Sequence, residues 1–212
     1  NGFWDRELCP VGSVRLDRYR KIKRMNPKEQ KVCHLLLTTQ GIDVEKVISF
    51  VSGFLESARG KFEFNIFIKL HPAYETDKGR YLAAFQAAKN VRVLLGNEPP
   101  STYDLLAQSH LHLSIYSACH YEALALGIPT VILPFAGHEN VLHLYESGHA
   151  HLTRTPEELL KLALQYKALG VPERVGEAGE HPEGRDSEGA PVVVRYDAAG
   201  GPWTAQVLVD AP

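Results

Sequence analysis

Short apolar runs without polar alternation recur along the middle of the chain, and they constrain its fold more than any other feature. Three of them are residues 32–38, 65–70 and 91–95. Each has the length of a strand, and a stretch with helical spacing of apolar residues follows each of the first two. Strands that are apolar on both faces and alternate with helices form parallel sheets covered on both sides. The pattern therefore predicts a doubly wound parallel sheet in a three-layer, Rossmann-like α/β sandwich.

Helix starts are predicted at three polar residues. Asp43 and Ser101 each precede a stretch of helical spacing, so both are expected to cap a helix. Thr155 is followed by Pro156 and Glu158, which is the pattern of a capping box. A further helix is expected over residues 78–88.

Composition divides the chain into four segments. Residues 1–31 lack strong periodicity and are expected to form an interdomain lead-in, whereas residues 32–169 carry the strand and helix pattern of one domain. Residues 170–190 are rich in Glu, Gly and Pro, which is typical of a flexible linker. Two apolar runs around a turn in residues 191–212 predict a β-hairpin tail. Because the chain starts without Met, we expect it to be part of a longer protein.

The net charge, the lengths of the apolar runs and the cysteine count exclude several classes of protein. A formal net charge of −2 gives no basic field for nucleic acid or for an acidic membrane surface. No apolar run approaches the roughly 20 residues of a membrane-spanning helix, and no signal segment opens the chain. The 3 cysteines are far apart, so they offer neither a disulfide framework nor metal-ligand spacing, and we expect a cytoplasmic protein. His110 and His112 flank an apolar strand, where one is expected to be a solvated strand end and no metal site is expected.

The stretch 111–134 predicts a buried strand, a polar turn, a compact helix and a second strand. A helix that begins directly after a strand directs its free backbone N–H groups at the space above the strand, which suits an anion such as phosphate. Ser117 adds a hydroxyl at the helix start, and Glu122 follows about one turn later. The alternative is that Ser117 is only an N-cap and Glu122 a solvated helix residue. The local sequence leaves both interpretations open.

Polar residues follow the predicted strands, and in a parallel sheet they would share one rim. Taken singly, His71 is more often structural and Lys69 solvated. Together the residues suit a nucleoside diphosphate, with phosphates at Ser117 and at the turn after the first strand, and ribose hydroxyls on the carboxylate of Glu122. The rim residues are Thr39, Gln40, Gly41, Lys69, His71, Gly96, Asn97, Glu98, Tyr116, Ser117, Gly137, His138, Glu139 and Asn140.

Several of these residues resemble the donor-binding, C-terminal domain of a GT-B glycosyltransferase. Ser117, Glu122-Ala123 and Gly127-Ile-Pro129, followed by Pro134 and His138-Glu-Asn, carry the resemblance. The neighbouring relatives are the capsule-polymer and glycerophosphate transferases and the nucleotide-sugar 2-epimerases. Lys69-Leu-His-Pro is similar to the Lys-x-His-Pro segment of the two transferase groups, and residues 12–17 resemble the connection into the C-terminal domain. The resemblance covers roughly residues 9–167 and makes residues 32–169 a nucleotide-sugar-binding domain.

The resemblance implies roles for individual residues. Glu122 would hold the ribose, and Ser117 with its helix end would hold the diphosphate. His138, Glu139 and Asn140 would face the donor sugar, and residues 96–101 would border the base. Lys69 and His71 would be catalytic, because they would offset phosphate charge as the nucleotide departs. No metal or other cofactor is implied, since the helix dipole and basic side chains would stabilise the leaving diphosphate.

The resemblance also implies an activity, which is transfer of a sugar from a nucleotide diphosphate sugar to a glycan or lipid-linked acceptor in polysaccharide biosynthesis. The acceptor site and the base would lie in an N-terminal domain that the chain lacks, and the full protein would associate peripherally with a membrane. Two alternatives stay open. One is a non-catalytic nucleotide-sugar-binding or scaffold domain. The other is a nucleotide-sugar 2-epimerase, although Ser117-Ala-Cys replaces the Ser-Gly-Gly turn of those enzymes.

Overall fold

The computed structural model describes residues 31–169, 184–185 and 191–192, and its main feature is one parallel sheet of six strands. The spatial order is β3–β2–β1–β4–β5–β6. All five neighbouring pairs are parallel. The strands are β1 (Cys33–Thr38), β2 (Phe64–Lys69), β3 (Val91–Leu94), β4 (Leu111–Ser114), β5 (Thr130–Ile132) and β6 (His151–Leu152).

Helices connect the strands and make the fold a three-layer α/β sandwich, which confirms the predicted fold class. No helix of the described residues is long and apolar enough to cross a membrane. The helices are α1 (Val44–Ala58), α2 (Gly79–Phe85), α3 (Thr102–Gln108), α4 (Cys119–Ala125), α5 (Leu142–Glu146) and α6 (Pro156–Leu169), and a 3₁₀ turn (His138–Val141) precedes α5.

The strand order has one reversal, and it lies between β1 and β4. The chain builds outward from β1 through β2 to β3 and then returns to add β4 on the other side of β1. Leu35 pairs with Leu111 and Leu37 with Leu113 across this junction. Connections leave β1 and β4 in opposite directions there, which opens a space outside the carboxyl ends of the two strands. We call this space the crevice.

The strands lack alternation of polar and apolar residues because most of their residues, on both faces, are buried in the core. Every residue of β4 is buried, and β1 and β2 are mostly buried as well. On one face of the sheet, α1 supplies Phe54, which is fully buried and meets Phe64 of β2 edge to face. A fully buried side chain of this size contributes about 2 to 3 kcal/mol to folding.

Two of the three predicted helix starts are confirmed. The Ser101 hydroxyl accepts a hydrogen bond from the Asp104 N–H, while the Asp104 carboxylate accepts one from the Ser101 N–H. Thr155 and Glu158 form the same reciprocal arrangement at the start of α6. The predicted helix over residues 78–88 is shorter than expected, since α2 ends at Phe85.

The prediction that Asp43 caps α1 is wrong. Asp43 occupies the N-cap position in a left-handed conformation, with φ at 48°, and its side chain makes no capping bond. Its carboxylate instead accepts a hydrogen bond of 3.0 Å from the backbone N–H of Ala136, after β5. A long-range partner therefore displaces the local one, and Asp43 ties the turn after β1 to the loop after β5.

The prediction of a solvated histidine beside β4 is also wrong, because His110 and His112 are 1% and 0% exposed. His112 lies between two threonines, with its Nε2 2.9 Å from the Thr38 hydroxyl and its Nδ1 2.8 Å from that of Thr130. His120 of α4 also contacts the Thr130 hydroxyl, at 2.7 Å. We call His112 and His120 the buried histidine pair.

A second compact unit of the chain contributes two short strands. β7 (Gly184–Arg185) and β8 (Pro191–Val192) pair antiparallel. β8 falls in the first predicted strand of the hairpin tail, but its partner β7 falls in the segment predicted as a linker. The second predicted strand of the tail lies outside the described residues, as does the lead-in up to residue 30.

Candidate functional site

The loops that follow the strands are joined to one another by contacts at the carboxyl edge of the sheet. The Ser114 hydroxyl donates to the carbonyl of Thr38, 2.7 Å away, which joins the ends of β4 and β1. A Cβ added to Gly96 would lie 2.5 Å from the Cα of Pro72, so the loops after β3 and β2 are in direct contact. The predicted rim residues on these loops therefore do share one edge.

The turn after β4, residues 115–118, offers unpaired backbone donors. We call it the β4 turn. Ser117 is 8% exposed, and its hydroxyl oxygen accepts a hydrogen bond of 3.2 Å from the N–H of Cys119. The N-cap of α4 is Ala118, with φ at −56°. Within the described residues the N–H groups of Ser117 and Ala118 have no protein acceptor. Ser117 thus stabilises the helix start through its hydroxyl, while its own N–H and that of Ala118 stay available to a ligand.

Glu122 is buried, which rules out the interpretation that it is a solvated helix residue. Its side chain is 5% exposed, and it lies beside the thiol of Cys119. Burial, followed by the charge of Glu122, raises the pKa of Cys119 to about 12. The thiol is therefore a protonated hydrogen-bond donor and not a nucleophile. It lies within reach of Ser117 and Thr38 as well, so Cys119 brings Glu122 and the β4 turn to the end of β1.

The turn after β1, residues 39–41, is held by a carboxylate that the sequence did not reveal. We call this turn the β1 turn. The Thr39 hydroxyl and the Gly41 N–H both donate to Oε2 of Glu75, the latter over 3.1 Å. Glu75 is 7% exposed, and Gly41 adopts a left-handed φ of 74°. The amide oxygen of Gln40 is buried and has no hydrogen-bond partner among the described residues.

His71 has one ring nitrogen committed to its own loop. Nδ1 accepts hydrogen bonds from the N–H groups of Ala73 and Tyr74, at 3.1 and 3.2 Å. A neutral imidazole that accepts at Nδ1 carries its proton on Nε2, so His71 can donate from Nε2. Its ring stacks on Tyr74 at 4.4 Å, which fixes the direction of this donor.

Lys69 is almost fully buried, at 2% exposed. Its ammonium donates to the carbonyls of Glu98 and Pro100, the latter at 3.0 Å. Burial lowers the pKa of Lys69, and the nearby Glu98 carboxylate partly offsets this. Glu98 is itself held by Lys78 at 2.7 Å and by the N–H of Leu95 at 2.8 Å. Lys69 therefore holds the loop 96–101 in place, and its role beside a phosphate stays a prediction.

We expect Lys69→Met to loosen this loop while the sheet stays folded. The substitution keeps the volume but leaves two carbonyls without their donor, which costs about 1 to 3 kcal/mol. Urea unfolding should show that loss, and amide exchange should accelerate in residues 95–101 more than in the core strands. Unchanged exchange in those residues would contradict the role of Lys69 as their anchor. Lys89→Met, on an exposed lysine, is the matched control.

The loop after β5 is stabilised by two of its own side-chain hydrogen bonds and by a close approach to the β4 turn. Nδ1 of His138 donates to the carbonyl of Phe135 at 2.9 Å, and the side-chain amide of Asn140 donates to the carbonyl of Gly137 at 2.9 Å. Gly137 has a φ of 93°, and a Cβ there would overlap the ring of Tyr116, so the loop lies against the β4 turn. Glu139 is exposed.

A second concave surface lies at the opposite, amino edge of the sheet. It is a groove of about 900 Å³ near the starts of β1, β2 and β3, lined in part by Arg59, Phe62 and Lys89. None of the predicted site residues lines it. No group of three or more His, Cys, Asp or Glu side chains that could hold a metal ion occurs in the part of the chain that the structure describes.

Comparison with solved structures identifies the same fold in larger proteins. A UDP-GlcNAc 2-epimerase of Methanocaldococcus jannaschii, solved with UDP-GlcNAc and UDP, is 16% identical and matches with a TM-score of 0.55 over 78% of this chain and 49% of its own. MurG of Acinetobacter baumannii is 16% identical, with a TM-score of 0.50 over 76% of this chain and 47% of its own. Neither a protein-family model nor a curated protein sequence matches.

The matched proteins have folds of the GT-B glycosyltransferase type, and the described domain is consistent with the C-terminal domain of that type. The resemblance drawn from the sequence is thereby confirmed at the level of fold. The chain spans about half the length of each matched structure.

Proposed function

We propose that the chain is a nucleotide-sugar-binding domain, which holds the donor of a GT-B-type glycosyltransferase. The observation that carries the proposal is the pair of free N–H groups at Ser117 and Ala118, which have no acceptor among the described residues. They lie at the carboxyl end of β4, next to β1, where the strand order reverses. That is the position at which sheets of this class bind their ligands.

The free donors support a diphosphate as the group bound there. Phosphate oxygens accept several hydrogen bonds at once, and backbone N–H groups are pre-oriented donors that lose little entropy on binding. The Nε2–H of His71 supplies a further donor on the same edge, which supports its assignment as a group that offsets charge on the leaving nucleotide. Hydrogen bonds to a charged group contribute about 1.5 to 3 kcal/mol each.

The remaining ligand parts are assigned by the order of the loops. Glu122 is proposed to accept the ribose hydroxyls, and the loop 96–101, held by Lys69, to border the base. His138, Glu139 and Asn140 on the loop after β5 are proposed to face the sugar. The M. jannaschii fold neighbour was solved with UDP-GlcNAc and UDP, which supports this class of ligand.

Transfer requires an acceptor site, and we propose that another domain of the whole protein supplies it. The acceptor would be a glycan or a lipid-linked glycan in polysaccharide biosynthesis, with the protein in the cytoplasm and in peripheral contact with a membrane. The burial of Lys69 among loop carbonyls favours a second candidate, a domain that binds nucleotide sugars without catalysing transfer. Transfer by the complete protein would favour the first candidate, whereas nucleotide binding without transfer would favour the second.

Titration calorimetry on the chain tests the proposed function. The probes are UDP, GDP and CDP, with UDP-GlcNAc, GDP-mannose and CDP-glucose as the corresponding sugars. At least one pair is expected to bind, and Glu122→Ala is expected to weaken both members of that pair. Glu146→Ala, on an exposed residue of α5, is the matched control. Absence of heat with all six probes would overturn the proposal.

A further inference from the structure

The β1 turn already contains an anion, which sets it apart from the β4 turn. Two of its donors, the Thr39 hydroxyl and the Gly41 N–H, are taken by the carboxylate of Glu75. At 7% exposed, Glu75 is a fixed part of the wall and not a surface charge that water screens. The same donors would be the ones to hold a phosphate if the β1 turn were a phosphate site.

The surroundings of Glu75 keep it in place. Tyr81, 1% exposed, lies beside the carboxylate, and burial followed by the charge of Glu75 raises the pKa of the Tyr81 hydroxyl. A Cβ on Gly41 would lie 3.0 Å from the carbonyl of Tyr74, so the turn is pressed against the segment that carries Glu75. A phosphate could take these donors only by displacing a buried, hydrogen-bonded carboxylate, and the two anions would repel each other.

We infer that Glu75 gives the crevice a fixed polarity, in which the β1 turn excludes phosphate because its donors are already held by a buried carboxylate. The diphosphate is thereby confined to the β4 turn. This inference rests on the proposed function and revises one part of it, since the sequence suggested phosphates at both turns. Glu75 acts as a positioning residue through its charge.

One substitution removes the charge and keeps the contacts. Glu75→Gln keeps an acceptor for Thr39 and Gly41 but removes the negative charge, so we expect the nucleoside diphosphate to bind about fivefold tighter at low salt, and the gain to shrink at high salt. A structural role alone would not strengthen binding in this variant.

The experiment is calorimetry on the full chain with UDP and UDP-GlcNAc, GDP and GDP-mannose, and CDP and CDP-glucose. Asp77→Asn is the matched control, because Asp77 is exposed on the same loop and caps the N–H of Gly79 at 2.8 Å. Urea unfolding of each variant verifies that it is folded.

The outcomes distinguish the inference from the proposed function. If Glu75→Gln weakens diphosphate binding or leaves it unchanged, the inference is overturned and the proposed function stands. If the wild-type chain binds no member of the three pairs, the proposed function fails and the inference fails with it. Tighter diphosphate binding in Glu75→Gln, with a gain that shrinks at high salt, supports both.

Discussion

Lowering the pH from 7 to 4 is expected to reduce the free energy of unfolding by about 3 kcal/mol through His120 alone. Burial lowers the pKa of His120 from 6.5 to about 4, and the carbonyls of Ile115 and Ser114 oppose that shift only in part. His112, fully buried beside it, has a pKa that burial and then the charge of His120 lower well below its usual value. The buried histidine pair is therefore neutral in the folded protein.

The sign of this pH effect is set by the difference between the numbers of protons that the unfolded and the folded chain bind. Above pH 6.5 both the folded and the unfolded chain carry neutral histidines, so stability does not change there on their account. Between pH 6.5 and 4 the unfolded chain binds a proton at His120 that the folded chain does not, and stability falls by about 1.4 kcal/mol per pH unit. Acidification thus favours the unfolded state.

Urea unfolding at half-unit steps between pH 7 and 4 measures the effect. His34, His112 and His151 also have lowered pKa values, so wild type alone does not isolate His120. Comparison with His120→Asn isolates the effect of His120, because the asparagine side chain keeps a polar partner for Thr130 but cannot be protonated in this pH range. We expect the slope between pH 6.5 and 5 to be shallower in the variant. Equal slopes would show that His120 titrates normally in the folded protein.

The strands were predictable because their determinant is local. Residues 32–38 and 65–70 are apolar on both faces. The observed β1 and β2 each start and end within one residue of the predicted limits. The capping box at Thr155 was predictable for the same reason, since all its atoms belong to four consecutive residues. Asp43 shows where local reasoning fails: its partner, the N–H of Ala136, is 93 residues away in the sequence.

The site was predictable in outline only. Parallel strands bring their carboxyl ends to one edge, so the predicted rim residues share that edge whatever their loops do. The side-chain partners depend on loop conformation, which apolar periodicity does not encode. Glu75 returns to the β1 turn across 34 residues, and Lys69 reaches Glu98 across 29. His112 is polar by type yet buried, because Thr38 and Thr130 satisfy both its ring nitrogens.

Ala118→Pro is expected to weaken nucleoside diphosphate binding about 10- to 100-fold, the loss of one hydrogen bond to a charged group. Proline removes the free N–H of Ala118 and no bond within the protein, because that N–H has no acceptor among the described residues. The φ of Ala118, −56°, lies in the range that proline adopts, and the residue is exposed at the start of α4. Stability should therefore change by less than about 1 kcal/mol.

Ala118→Gly is the matched control, since glycine changes the same side chain and keeps the N–H. It is expected to bind the diphosphate within about threefold of wild type, because glycine at this position costs little. Equal weakening in both variants would trace the effect to the side chain or to the helix start and not to the N–H group.

The most direct test of the proposed donor site is the dissociation constant for UDP, GDP and CDP, measured by calorimetry on wild type, Ala118→Pro and Ala118→Gly. If the diphosphate lies on the free N–H groups of the β4 turn, at least one diphosphate binds wild type and Ala118→Gly. Ala118→Pro then loses most of that affinity while remaining folded. A folded Ala118→Pro variant that binds as tightly as wild type would contradict this placement of the diphosphate.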